Sequence, residues 1–256
     1  GLRLGVAPDT ILGAGMQNCR RLLDEGKIGE PVGVEVVFNL RGYPDPNHFH
    51  WKRGAGVLMD IGPYYFTAMV ALLGPIKRVS AFARYWPMKE VRERFPNWRE
   101  LIEVPSHVAA IVEFDSGVVG NITLTTEYCG NYDVLLKIYG SDATMVCPDP
   151  NMFDGDLIIT SFGEEKLRLK AEGPYAIEGR GIGLADMAYA QMVGRQHRCN
   201  DELGYHVLDA MCAVLESAES GTAIALRSSA SRSEPFDDST LEKEKAKISP
   251  AMAAGK

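Results

Sequence analysis

The residues with the most chemistry per position lie in one stretch, residues 42–64. Asp60 and Tyr64 stand four apart, so in a helix both side chains project from one face and can converge on one ligand. A carboxylate and a phenol so placed can orient a substrate and hold or pass a proton. The same two residues also suit an ordinary helix, as a carboxylate near its start and a half-buried aromatic. The loop before them, GYPDPNHFHWKRGAG at residues 42–56, is crowded with polar and aromatic groups: His48, His50, Trp51, Lys52 and Arg53. Loops of this composition often carry binding function. Lys52 and Arg53, with Trp51 beside them, are candidates to grip a substrate hydroxyl or carboxylate. His48 and His50 would share a metal only on an extended loop, and no cysteine or carboxylate at ligand spacing accompanies them, so no metal site is expected.

The elements that must position these groups follow from periodicity. Leu58, Ile61, Met69 and Leu72 recur at helical spacing over residues 57–73, and Gly74-Pro75 stops the helix. Asp60 is then expected in the first turn, where the helix dipole favours a carboxylate. Upstream, residues 2–7 read as a short strand. Pro8-Asp9-Thr10 supplies a turn and a cap for a helix carrying Met16, Cys19, Leu22 and Leu23, and Val32, Val34 and Val36 alternate as a strand.

Strand patterns then repeat at residues 79–85, 106–114, 118–126, 134–139, 143–147 and 156–160, with a hairpin at Asp115-Ser116-Gly117. In the strand at 118–126 one face is apolar, with Val118, Ile122 and Leu124. The other, with Val119, Asn121, Thr123 and Thr125, is only weakly so. Two helices, residues 183–193 and 201–220, and a short strand at 223–226 close the pattern. His206 lies in the apolar stripe of the second helix, as a structural histidine does.

A block of strands flanked by helices predicts an α+β domain, an open, mostly antiparallel sheet with helices packed on one face. The weakly apolar second face then needs a cover, and a homodimer through that sheet face is expected. Residues 89–99, alternating in charge, read as a solvated insertion. Residues 227–256, rich in Ser, Glu and Lys, read as a polar tail.

Composition excludes several classes of function. A net charge of −7 over 256 residues argues against a nucleic-acid partner, whose phosphates call for clustered Lys and Arg. No apolar run approaches the roughly 20 residues of a membrane-spanning helix, so no membrane partner is expected. Five cysteines, none in a CxxC pair, suit reduced thiols and a cytoplasmic setting.

Several segments together resemble the C-terminal domain of Gfo/Idh/MocA oxidoreductases. They are APDTILGAG (residues 7–15), LLDEGKIGEPVGV (22–34), GAGVLMDIGPYY (54–65), LLGPIKRV (72–79) and RGIGLADMAYA followed by GYHVLDAM, and they occur in the family's order. The resemblance spans roughly residues 2–226. It implies a chain that opens inside the last strand of a dinucleotide-binding domain, with residues 1–9 as remnant and linker, 10–226 as the α+β substrate and oligomerisation domain, and 227–256 as the tail. It further implies an NAD- or NADP-dependent oxidoreductase acting on a sugar, polyol or related hydroxyl or carbonyl compound.

The family's Asp-x-x-x-His motif is matched by Asp60 and Tyr64, with tyrosine in place of histidine as in some of its branches. By that resemblance Tyr64 is the proton carrier and Asp60 its orienting carboxylate. The family's Glu-Lys-Pro lysine has no counterpart here, and no GxGxxG lies between a strand and a helix. Gly179, Gly181 and Gly183 have the wrong spacing. These residues alone are therefore expected neither to bind the cofactor nor to be active. A noncatalytic sugar-binding or assembly module on the same fold is the alternative.

Overall fold

Side chains that alternate at period two pair into one long sheet, and those at period 3.6 cover one of its faces. The computed structural model describes residues 2–173, 175–177 and 179–236. The strands are β1 (Pro31–Arg41), β2 (Ile76–Arg84), β3 (His107–Phe114), β4 (Val119–Thr125), β5 (Glu127–Gly140), β6 (Ala143–Cys147), β7 (Asp156–Ser161), β8 (Leu167–Lys170) and β9 (Ile224–Ala225). Their order across the nine-stranded sheet is β8-β7-β6-β5-β1-β4-β3-β2-β9. Pairing among the described residues is antiparallel except between β1 and β4. The fold is thus the α+β sheet that the pattern predicts.

The helices are α1 (Ala14–Asp24), α2 (Gly56–Leu73), α3 (Lys89–Arg94), α4 (Trp98–Leu101), α5 (Ile182–Val193) and α6 (Asp201–Ser220). The buried face of the sheet carries Val36, Phe38, Val108, Val112, Ile122 and Leu124 against Phe66, Met69 and Val70 of α2 and Val207 and Val214 of α6. Helix α2 is apolar and 18 residues long, enough by length to cross a bilayer, but two thirds of it is buried within the protein. It is the central core helix. Gly62 lets α6 approach closely, since a Cβ there would stand 2.9 Å from the Met211 sulfur.

The Asp115-Ser116-Gly117 hairpin forms as its residues require: the Gly117 N–H donates to the Phe114 carbonyl at 3.0 Å, with Gly117 at φ +88°. His206 is structural. Its Nε2 accepts the Ile76 N–H at 2.9 Å, and its Nδ1 bonds the Ser228 hydroxyl at 2.9 Å.

Five expectations are corrected. Residues 2–7 form no strand but a single antiparallel bridge, Gly5 to Asn200, because no extended neighbour runs alongside. Asp9 makes no cap bond to the turn that follows it; its carboxylate accepts the N–H groups of Gly181 and Gly183, both at 2.9 Å, at the start of α5. Residues 89–99 are not merely solvated. Met88, Val91, Trp98, Ile102 and Val104 close around Trp51 as a second small core. The expected polar tail does not begin at Arg227. Phe236 and Ala230 are both 4% exposed, and Arg20 and Arg198 donate to the Ser233 and Pro235 carbonyls at 3.0 and 2.8 Å. Backbone carbonyls, which composition does not register, fasten that segment. The rest of the predicted tail, residues 237–256, lies outside the described residues. Finally, Thr125 is not open to solvent as its alternating neighbours are: it is 9% exposed at the strand end, where its hydroxyl donates to the Ser106 carbonyl.

Candidate functional site

The chain enters α2 through a glycine turn, with Gly54 at φ +87° and Gly56 at φ +86°. A side chain at position 56 would also press on Val104, 2.9 Å from the nearest methyl, so glycine is required there on two counts. Because the helix begins at Gly56, Asp60 is its fifth residue, one residue further in than the sequence suggested and just past the first turn, which holds no acidic side chain. Asp60 is exposed and Tyr64 half-buried, one turn above it on the same helix. Pro63 sits between them inside the helix, where it can donate no hydrogen bond to the Met59 carbonyl.

The loop residues do not act as one group. Trp51, 1% exposed, is removed from the binding set. Its ring packs in the second core and its indole N–H donates to the Tyr43 carbonyl at 3.1 Å, because a large ring gains more from burial than from a loop surface. Lys52 turns to the end of α4, its Nζ donating to the Leu101 carbonyl at 2.8 Å and lying 3.6 Å from Glu103. Arg53 lines a cavity of about 380 Å³ with Tyr85, Glu103 and Glu219. A second cavity of about 340 Å³, mostly apolar, lies between residues 6–8, Met59 and Pro63 of α2, and Leu203 to Met211 of α6. Asp60 and Tyr64 line neither.

What does approach Asp60 is His50. Its Nδ1 stands 3.6 Å from Asp60 Oδ2, and its ring is almost wholly buried. The neighbouring His48 stacks on Tyr43 with ring centres 3.9 Å apart and accepts the His50 backbone N–H on its own Nδ1. The sequence showed the two histidines; it gave no sign that one of them reaches the helix carboxylate.

Behind Tyr64, its neighbour Tyr65 is fully buried and donates to Asp149 at 3.1 Å, and Tyr132 donates to the other oxygen of the same carboxylate. Burial foremost, then the Asp149 charge, pushes the Tyr65 phenol far above its ordinary range, so it stays protonated as a donor. This junction ties α2 to β5 and to the loop after β6. Only pairing across 84 residues reveals it.

One further carboxyl is perturbed. Glu127, at the start of β5, is raised to about 7 by burial, opposed by the Ser106 and Thr126 hydroxyls and by Arg92, and its Oε1 has no partner. A carboxyl raised in the folded state stabilises fully below its unfolded value of 4.5, and that stability is lost as pH rises through about 7. Glu127→Gln removes the ionisation. It is expected to stabilise the protein by about 1–2 kcal/mol at pH 8, discounted for partial exposure, and to change little at pH 4.5. Urea melts at both pH values check this, and an equal effect at the two would refute it.

Taken together, a nine-stranded sheet with helices on one face, and a carboxylate and a phenol on the exposed side of its central helix, define an α+β domain built on one open sheet. The chain belongs to the Gfo/Idh/MocA family: the family's C-terminal domain matches residues 16–146. Solved structures share the fold. A levoglucosan dehydrogenase in complex with NADH and levoglucosan is 20% identical with a TM-score of 0.69, matching 85% of this chain and 64% of that one. An aldose-aldose oxidoreductase from Caulobacter crescentus is 19% identical with a TM-score of 0.72, over 88% and 64%. An NAD binding oxidoreductase from Klebsiella pneumoniae is 22% identical with a TM-score of 0.69, over 88% and 67%. The chain thus spans about 64% of the length of the levoglucosan dehydrogenase chains. No curated protein matches it by sequence.

Proposed function

We propose that this chain supplies the substrate side of an NAD(P)-dependent oxidoreductase that acts on a sugar, polyol or related hydroxyl or carbonyl compound in a reducing, cytoplasmic setting. The observation that carries the reading is the placement of Asp60 and Tyr64, one turn apart at the open surface of α2, in a chain of this family. The similar levoglucosan dehydrogenase structures, in complex with NADH and levoglucosan or L-sorbose, support the substrate class.

In this reading the cofactor is not cradled by this chain alone. The glycine-rich turn before α5 already directs two backbone N–H groups at the Asp9 carboxylate, so a phosphate there would meet a negative charge. In this reading the nicotinamide dinucleotide is held by residues outside these 256. What this chain does is grip and protonate: Asp60 accepts a substrate hydroxyl, and the Tyr64 phenol gives or takes the proton at the carbon under reaction. A free phenol titrates near 10, so service as a base requires a positive charge close by.

The test is direct. Isothermal titration of the 256-residue chain should detect no micromolar NAD(P), whereas the chain joined to a dinucleotide-binding domain should reduce NAD(P) with a sugar or polyol. Absence of turnover across a panel of such compounds would return the chain to the reading of a noncatalytic sugar-binding or assembly module.

The chain is also proposed to dimerise through its uncovered sheet face. That face presents Phe82, 76% exposed, with Ile111 and Val119, 52% and 49% exposed, on the same side of β2, β3 and β4 and lying diagonally across the three strands. Two copies meeting there would remove this apolar surface from water. Sedimentation at micromolar concentration is expected to give a dimer, and Ile111→Arg a folded monomer. A monomeric wild type would end the proposal.

A further inference from the structure

His50 is 2% exposed, and neither ring nitrogen has a hydrogen-bond partner. Leaving such groups buried and unmatched is unfavourable, so the position is a costly one for a polar side chain. The ring is walled by aromatics, with Tyr43 and Trp51 at centre-to-centre distances of 5.0 and 6.3 Å. On its open side, Nδ1 faces Asp60 Oδ2 at 3.6 Å, and the Asp60 side chain is 54% exposed. Closing that gap to the ~2.9 Å of a good N–H···O bond takes a small rotation of a carboxylate that little else holds.

We propose that His50 is the positioning residue of Asp60: a buried imidazole that presents Nδ1–H to the carboxylate and fixes its direction toward the substrate. The proposal rests on the reading of Asp60 as a site residue. The groups that face the imidazole are Tyr43 and His48 from its own loop and Asp60 from α2. Burial is the largest influence and holds its protonation below the ordinary histidine range, His48 adds to that, and the Asp60 charge works against both. A neutral ring at neutral pH is therefore a donor on one nitrogen only, and the nitrogen nearer Asp60 is the one with an acceptor to meet. Held in this way, Asp60 keeps one rotamer and remains an acceptor for a substrate hydroxyl.

The decisive measurement uses the 256-residue chain and the ring ¹⁵N resonances of its histidines across a pH titration. The neutral ring of His50 is expected to carry its proton on Nδ1. In Asp60→Asn, the loss of the charge that favours the imidazolium should lower the His50 midpoint by about 0.5–1 pH unit, while His206, on the far side of α6, stays in place as an internal control. A His50 midpoint unchanged by Asp60→Asn, or a neutral ring protonated on Nε2, overturns the proposal. Kinetics supply the second reading. With turnover established, His50→Asn, whose amide nitrogen can stand near Nδ1, should keep kcat within about threefold, whereas His50→Phe, which fills the space without a donor, should lower kcat about tenfold with KM little changed. Equal kcat in the Asn and Phe variants would also overturn it. Because the titration needs no turnover, it decides the pairing even if the catalytic reading of Asp60 and Tyr64 fails on its own test.

Discussion

Tyr64→Phe is expected to reduce turnover by roughly 10² to 10⁴ while leaving the fold intact, the loss typical when a general acid or base is removed. The ring is half-buried and packs on the main core, so phenylalanine preserves those contacts. What disappears is the hydroxyl, one turn above Asp60 on the open side of α2. The adjacent Tyr65 cannot replace it, because Tyr65 is 0% exposed and its hydroxyl is committed to Asp149. A Tyr65→Phe variant is therefore the matched control, expected to lower stability rather than chemistry. Steady-state kinetics with a chain joined to a dinucleotide-binding domain, with a solvent isotope effect to show that proton transfer limits the rate, provides the check. Wild-type turnover in Tyr64→Phe would make Tyr64 a packing residue and nothing more.

The largest expected effect on stability belongs to Asp186. Its side chain is 0% exposed on α5 and accepts from Arg195 at 2.5 Å, from the Arg198 backbone N–H at 2.7 Å, and from the Arg198 guanidinium. Arg198 is itself buried, and it reaches on to the Pro235 carbonyl at 2.8 Å with Phe236 under its guanidinium. One carboxylate thus joins α5, the turn before α6 and the C-terminal segment. Asp186→Ala removes a buried counter-charge from beside the Arg198 guanidinium, and breaking a buried pair in this way typically costs about 3–5 kcal/mol. Against a total of about 5–15 kcal/mol for an average domain, that is a large fraction. Denaturant unfolding measures it, and hydrogen exchange should show residues 195–200 and 230–236 opening together. A loss below about 1 kcal/mol would mean that water replaces the carboxylate at no great cost.

Much of this protein is local in origin, and that part was legible from the residues. Alternation in residues 32–36 and 108–125 makes strands whatever their neighbours, because successive side chains point to opposite faces. The Asp-Ser-Gly turn closes a hairpin because glycine alone adopts its final conformation at no cost. Helix α2 was evident from its apolar spacing, and with it the four-residue separation that puts Asp60 and Tyr64 together. The family resemblance rests on such local segments too, which is why it could be read before any contact was known.

Tertiary structure decided the partners. Asp9 is a cap residue by type, but the helix whose start it binds is α5, reached through Gly181 172 residues away, and not the turn beside it. Trp51 carries the signature of a binding loop, yet it is buried because residues 88–104 supply the apolar wall it needs. His50 stood in the sequence without a partner, and it faces Asp60, since the turn at Gly54 and Gly56 folds the loop back along the helix. Periodicity reports which way a side chain points from its own element. It carries no record of which distant element arrives there, and for Asp9, Trp51 and His50 that arrival set the role.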